Sequence, residues 1–145
     1  MKTAILVFLT SARFAFGAEP WEGTYRWDNE EEPNKPGHVS KYVSLRVAVE
    51  PDGKVTLSCQ VFWKPGMDAD FGAVVEQTAL IDRTLADKTI AKVIPFTFED
   101  SNDNKGTGEV EIQGLMARVT IVNTEINFPE AARQYGAYQL QRQSP

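Results

Sequence analysis

KYVSLRVAVEPDGKVTLSCQVFWK, residues 41–64, is the stretch whose reading decides the fold. Before the Pro51-Asp52-Gly53 triplet, Val43, Leu45, Val47 and Val49 occupy alternate positions. After it, Val55, Leu57, Cys59, Val61 and Trp63 do the same. A period of two puts each set on one face of a strand, and Pro-Asp-Gly is a turn sequence. The two runs are therefore expected to pair as a hairpin, 41–50 with 54–64, with Phe62 the exception on the polar face of the second run. Cys59, the only cysteine, falls on the apolar face. It reads as a small core residue rather than a redox or catalytic thiol.

Alternation continues on both sides. In WEGTYRWD (21–28), Trp21, Gly23, Tyr25 and Trp27 oppose Glu22, Thr24, Arg26 and Asp28, and a polar loop, NEEEPNKPGH, follows. Residues 69–88 admit a strand or a helix; their Thr, Val and Ile content favours a strand, with Val75, Gln77, Ala79 and Ile81 on one face. Beyond them Ile90, Ile94, Phe96 and Phe98 share one parity, with Lys92 the exception, and Pro95 implies an edge or a bulge. Val110 and Ile112 oppose Glu109, Glu111 and Gln113. After a turn at Gly114, Leu115, Ala117, Val119 and Ile121 share a side. NFPEAARQYG (127–136) predicts a helical turn capped by Asn127, with Pro129 early and Gly136 as terminator, and AYQLQR closes the chain as a last strand. The fold class is all-β. About eight antiparallel strands are expected in a meander, closed as a barrel or stacked as a sandwich, with at most one or two short helices.

The first residues, MKTAILVFLTSARFAFGA, have one lysine, a short apolar run and small residues after it. This reads as a secretory signal peptide over residues 1–17, cleaved after Gly17 or Ala18, leaving residues 18–145 as a single β-barrel domain. The run is far below the roughly 20 residues that span a bilayer, and no cysteine lies at the cut for a lipid anchor. A secreted or periplasmic protein without stable membrane insertion is expected. Loss of Lys2 and Arg13 with the signal takes the net charge from −5 to −7. An acidic chain without a basic cluster argues against nucleic-acid binding.

Catalytic motifs are absent: neither GxSxG, HExxH, CxxC nor GxxxxGK[ST] occurs, and the only histidine, His38, lies in a proline-glycine loop. Glu109 and Glu111 share a strand face, where paired carboxylates would need contrasting environments to serve as acid and base. An outward-facing pair is the expectation. In FEDSNDNKGTGEVEI (98–112), Asp100, Asn102 and Asn104 alternate and Glu111 lies eleven residues after Asp100, the ligand spacing of a calcium loop. Lys105 stands where that loop needs glycine, and the flanks alternate as strands, so a hairpin turn is expected and no metal or cofactor. The aromatic set Trp21, Tyr25, Trp27, Trp63, Phe96 and Phe98 falls mostly on inward faces. It fills a barrel or lines a pocket for one small ligand.

WEGTYRW after a signal peptide, with a proline-rich loop and alternating strands behind it, resembles small secreted bacterial β-barrel proteins with a G-T-Y-x-[WY] first strand. Gly23-Thr24-Tyr25 together with Arg142 is similar to the calycin barrels (lipocalins and avidins). In those a G-x-W on the first strand packs against a basic residue from the last; here Tyr25 takes the tryptophan position. The resemblance implies a fold and an extracytoplasmic setting and carries over no functional residue. Periplasmic β-barrels that inhibit lysozyme are analogous in size and location.

These readings converge on a non-enzymatic, monomeric binding module for a small ligand or a protein. Its acidic loops, with Glu30, Glu31 and Glu32 in one and Glu99 to Asp103 in the other, suit a basic partner such as a lysozyme. The alternatives are a hydrolase using Glu109, Glu111 or His38, and an envelope protein with a calcium-steadied loop.

Overall fold

Among the described residues, nine strands account for almost all of the regular structure: β1 (Gly23–Asp28), β2 (Tyr42–Val49), β3 (Val55–Phe62), β4 (Ala69–Val75), β5 (Ile81–Thr84), β6 (Ile90–Glu99), β7 (Lys105–Gln113), β8 (Met116–Glu125) and β9 (Ala137–Arg142). One helical turn, α1 (Pro129–Ala132), and a 3-10 turn over Gln77–Ala79 complete it. This computed structural model describes residues 19–29 and 40–144. The expected signal peptide, Glu30–Glu32 and His38 lie outside them. No helix among the described residues is long and apolar enough to cross a membrane.

All pairings are antiparallel, in the order β4-β3-β2-β1-β9-β8-β7-β6-β5, and the single sheet curls into a half-barrel. The central hairpin pairs Val49 with Val55, Val47 with Leu57 and Leu45 with Cys59 around the Pro51–Gly53 turn, as the alternation predicts. Every one of these inward residues except the partly buried Val49 is buried. Phe62 faces outward because it has a partner there: its ring stacks on Tyr42 of β2, 5.3 Å between centroids.

The ambiguous segment 69–88 forms two strands. Ala69, Phe71 and Val75 of β4 are buried and Ala73 packs partly against the core. Gln77 and Ala79, expected on the same strand face, instead lie in the 3-10 turn and are exposed. The turn brings Leu80 against the core and starts β5 as the far edge of the sheet. β5 reaches only Val93 of β6, so Pro95 lies beyond its last pair, where the edge makes no demand for an N–H. The upper part of β6 is approached instead by β4. Phe71 stacks on Phe98 and Phe96 at 4.6 and 5.6 Å, Ser101 N–H donates to the Asp70 carbonyl (2.8 Å), and Asn102 Nδ2 donates to the Asp68 carbonyl (3.1 Å).

Gly106, expected in the turn, belongs with Gly108 to strand β7, which already begins at Lys105. Phe98 pairs with Gly106 and Phe96 with Gly108. A methyl at Gly108 would lie 2.4 Å from the Thr120 carbonyl and 2.5 Å from the Phe96 ring, and Gly106 is as crowded by Val122 and Phe98. Glycine here lets two phenyl rings lie directly on the strand backbone. Two further expectations are corrected. Leu115 is not inward but sits in the Gly114 turn, exposed, while Ala117, Val119 and Ile121 behind it are buried. Asn127 does not cap α1; Phe128 holds the cap position, and the Asn127 amide donates to the Asp103 carbonyl at 2.6 Å.

Candidate functional site

Four of the six aromatic candidates, Trp21, Tyr25, Phe96 and Phe98, are buried in one continuous core with Leu45, Leu57, Ile94, Tyr138 and Leu140. Trp27 and Trp63 are only partly buried. Trp63 is not on the inward face expected of it, because β3 ends at Phe62 and the indole sits at the rim. There the Lys64 ammonium and the Arg133 guanidinium lie over its ring, 4.4 and 5.6 Å from the centroid.

The β8–β9 connection folds over one end of the half-barrel and puts the Asp100 turn at its centre. Asp100 is 5% exposed. Its Oδ1 accepts the N–H groups of Asn102 (2.7 Å) and Asn104 (2.9 Å). Its Oδ2 accepts Asn104 Nδ2 (3.1 Å) and the Tyr135 hydroxyl (2.6 Å). The fully buried Asn104 carries the link onward, its Oδ1 accepting the N–H groups of Asn127 and Phe128 at 2.8 and 2.9 Å. A carboxylate within a strand-to-strand turn thus takes its own backbone donors. The acceptor positions a cation would use on Asp100 and Asn104 are filled by protein donors. Asn102, the third residue of the alternating set, turns its amide to the Asp68 carbonyl instead, and Glu111 lies on the outer wall. Burial and the Asp100 carboxylate together push the Tyr135 hydroxyl far above its usual range.

On the other side of α1, Gln134 is buried, donates to the Met67 carbonyl, and accepts from Ser40 Oγ (3.2 Å). Asn29 Nδ2 donates to the Ser40 carbonyl at 3.4 Å. Asn29 and Ser40, the described residues on either side of Glu30–Glu32 in sequence, thus lie with the Asp100 turn at the α1 end of the molecule. Asp68, Asp70, Glu99 and Asp103 surround the same end, and the ion pairs among the described residues involve none of them. The Asp70 carboxyl is raised by partial burial and by the neighbouring charges of Asp68 and Asp100.

Glu109 and Glu111 face outward, as their parity predicts, and both bind one guanidinium. Arg83 of β5 reaches across β6 to Glu109 (2.8 Å) and Glu111 (2.9 Å). The hydrogen bond from Arg83 holds the Glu109 carboxyl below the usual range. Neither carboxylate stands in the contrasting environment that acid–base work needs; the pair staples an edge strand. Cys59 is buried and its thiol is pushed up to about 12, mainly by burial.

At the opposite end, Arg142 pairs with Tyr25 across β1 and β9, and its Nη1 donates to the Pro20 carbonyl at 2.7 Å. Its guanidinium lies over Gly23, where a side chain would approach Nε to 2.8 Å.

No family model, curated protein or solved structure matches this chain. Its site must be read from its own geometry. Sequence reasoning missed Tyr135 and Gln134, which hold the capped end together, and Arg83, which neutralises the carboxylate pair. No signal pointed to Arg83, which continues the parity of Val75, Gln77, Ala79 and Ile81 in sequence and reaches Glu109 and Glu111 only because the 3-10 turn resets the phase of β5. Tyr135 and Gln134 carry no signal either, since they act across sequence separations of 35 to 94 residues.

Proposed function

We propose that this protein is a secreted or periplasmic binding module, without catalytic activity, that engages a basic protein through the acidic end of its half-barrel. The carrying observation is the group of carboxylates there, Asp68, Asp70, Glu99 and Asp103 about the Glu99–Asn104 turn, at the end where Asn29 and Ser40, which flank Glu30–Glu32 in sequence, are also placed. Carboxylates outside the ion pairs of the described residues give this end an acidic patch, bounded by Lys64 and Arg133 over Trp63, that orients the approach of a cationic surface. The hydrogen-bonded α1 connection supplies a firm platform beneath them. The tie between Glu109, Glu111 and Arg83 speaks for binding rather than hydrolysis. The contact of Arg142 with Gly23 and Tyr25 supports a calycin-like reading of the fold, with its interior given to packing.

Surface plasmon resonance with immobilised hen lysozyme as the basic probe tests the reading. Saturable binding is expected, weakening steeply as salt rises, and falling about tenfold or more in each of two triple variants: Glu30, Glu31 and Glu32 to Gln, and Asp68, Asp70 and Asp103 to Asn. Binding that ignores both variants, or no binding to lysozyme and other basic proteins at low salt, overturns it.

A further inference from the structure

The half-barrel fails to close along one line. β4, an edge of the sheet, lies beside the upper part of β6, which β5 leaves uncovered, yet the two share no ladder. Ser101 N–H donates to the Asp70 carbonyl. Asp70, and with it Gly72 and Val74 of the same parity, therefore directs its backbone groups away from β3. Asp100 N–H donates to the Asn104 carbonyl, so Thr97 and Glu99, of the parity opposite to Asp100, direct theirs away from β7. Continued antiparallel from Asp70 and Ser101, the next rungs would join Gly72 to Glu99 and Val74 to Thr97. The sheet contains neither.

What fastens this seam is a latch at its upper end. Asp70 N–H donates to Ser101 Oγ at 3.1 Å, Ser101 N–H returns the bond to the Asp70 carbonyl at 2.8 Å, and Asn102 Nδ2 donates to the Asp68 carbonyl at 3.1 Å. Below the latch the contact is between rings: Phe71 on Phe98 and Phe96, with Tyr135 edge-on to Phe71 and Phe98 at 6.1 and 5.3 Å. We propose that the β4–β6 seam is a gate, in which β4 swings off β6 when the Ser101–Asn102 latch releases and uncovers the aromatic interior while the ladders of the sheet stay intact.

Opening elsewhere would break a continuous ladder. Here it releases three hydrogen bonds, and Asp70 and Ser101 are already exposed, so water replaces their bonds at small net cost. A line of few bonds between two well-paired strands is where a fold opens locally, below the free energy of global unfolding. The movement is confined to β4, because Gln134 holds the Met67 carbonyl before it and Leu80 packs on the core after it. Cys59 reports on the gate: it pairs with Phe71 across β3 and β4, is 2% exposed, and belongs to the same interior cluster. The gate is independent of the binding reading, since its test involves no partner.

The test follows labelling of Cys59 by Ellman's reagent at pH 8 between 0 and about 1 M urea, each rate divided by that of glutathione under the same conditions. A gate exposes little surface, so the native rate should change by less than about twofold over that range, whereas labelling through global unfolding would rise about tenfold or more. The Ser101→Ala/Asn102→Ala variant, checked by its melting curve, should label about tenfold or more faster than the parent with the same flat urea response. Val119→Ala hollows the core under β8, away from the seam. It weakens the closed and open forms alike, and should lower the urea midpoint yet leave the native labelling rate within about twofold. The proposal is overturned if the native rate climbs with urea along the global slope, if the latch variant labels no faster than the parent, or if Val119→Ala or Tyr135→Phe, which loosens the capped end instead, accelerates labelling as much as the latch variant does.

Discussion

Replacing Tyr135 by Phe removes one hydroxyl whose worth follows from its setting. It donates to a carboxylate oxygen at 2.6 Å, and that carboxylate is 5% exposed. A hydrogen bond to a charged acceptor contributes about 1.5–3 kcal/mol. The upper half of that range applies here, because water has little access to replace the lost donor. Asp100→Ala should cost more, about 3–5 kcal/mol, since it orphans two backbone N–H groups and the Asn104 amide as well. In an Asp100→Asn background the hydroxyl faces a neutral amide, and Tyr135→Phe should then cost only about 1 kcal/mol. Urea unfolding followed by tryptophan fluorescence measures all four corners of the cycle, with unchanged slope as the check on two-state behaviour. A cost for Tyr135→Phe below about 0.5 kcal/mol, or a coupling near zero, would refute the claim that this contact fastens the capped end.

Three other outcomes follow from the geometry. Gly108→Ala drives a methyl against a ladder carbonyl and should destabilise by about 2–4 kcal/mol in urea titrations. Gly72→Ala, whose added methyl meets only ordinary contact at 3.5 Å, should be neutral or slightly stabilising; equal losses would discredit the phenyl-on-backbone packing. Because the Glu109 carboxyl is lowered in the folded state, the stability it contributes is present at neutral pH and disappears as pH falls through about 4.5 and below. Arg83→Ala should accordingly flatten the acid side of the melting-temperature profile, and an unchanged profile would contradict the staple. With its thiol pushed up to about 12, Cys59 should react with Ellman's reagent at pH 8 at least about a hundredfold more slowly in the native protein than in urea. Rapid native labelling would mean the core is open there.

Elements with a strict period were legible in the sequence. Residues 41–64 declare a hairpin because Val43 to Val49 and Val55 to Val61 keep one face, and the pattern breaks only at Phe62 and Trp63, where β3 ends. The segment 69–88 was not legible to the same degree, since its apolar residues keep one parity only to Val75 and the 3-10 turn then resets the phase. Gly106 looks like a turn residue locally; its place in β7 follows from the phenyl ring of Phe98 lying on it from the neighbouring strand. The turn from Asp100 to Asn104 was readable as a connection between strands. Its second role, fastening α1, depends on Tyr135 and Phe128, which no local pattern ties to it.

The strand order has a consequence for chain connectivity. Read from one edge, the sheet runs β5 to β9 and then β1 to β4. The first and last strands, β1 and β9, meet in the middle of the sheet, at Tyr25 and Arg142, while β4 and β5, consecutive in sequence, stand at its two edges. A circular permutant that joined residues 143 and 20 through a short linker and opened the chain at the exposed Gln77–Ala79 turn would turn this arrangement into a plain consecutive meander. Every hydrogen-bonded strand pair would be retained, and each would become local in sequence. Such a chain would exchange one long-range contact for another, since the packing of Phe71 on Phe96 and Phe98, local in the natural chain, would then join its two ends, and its folding rate should stay close to the natural one.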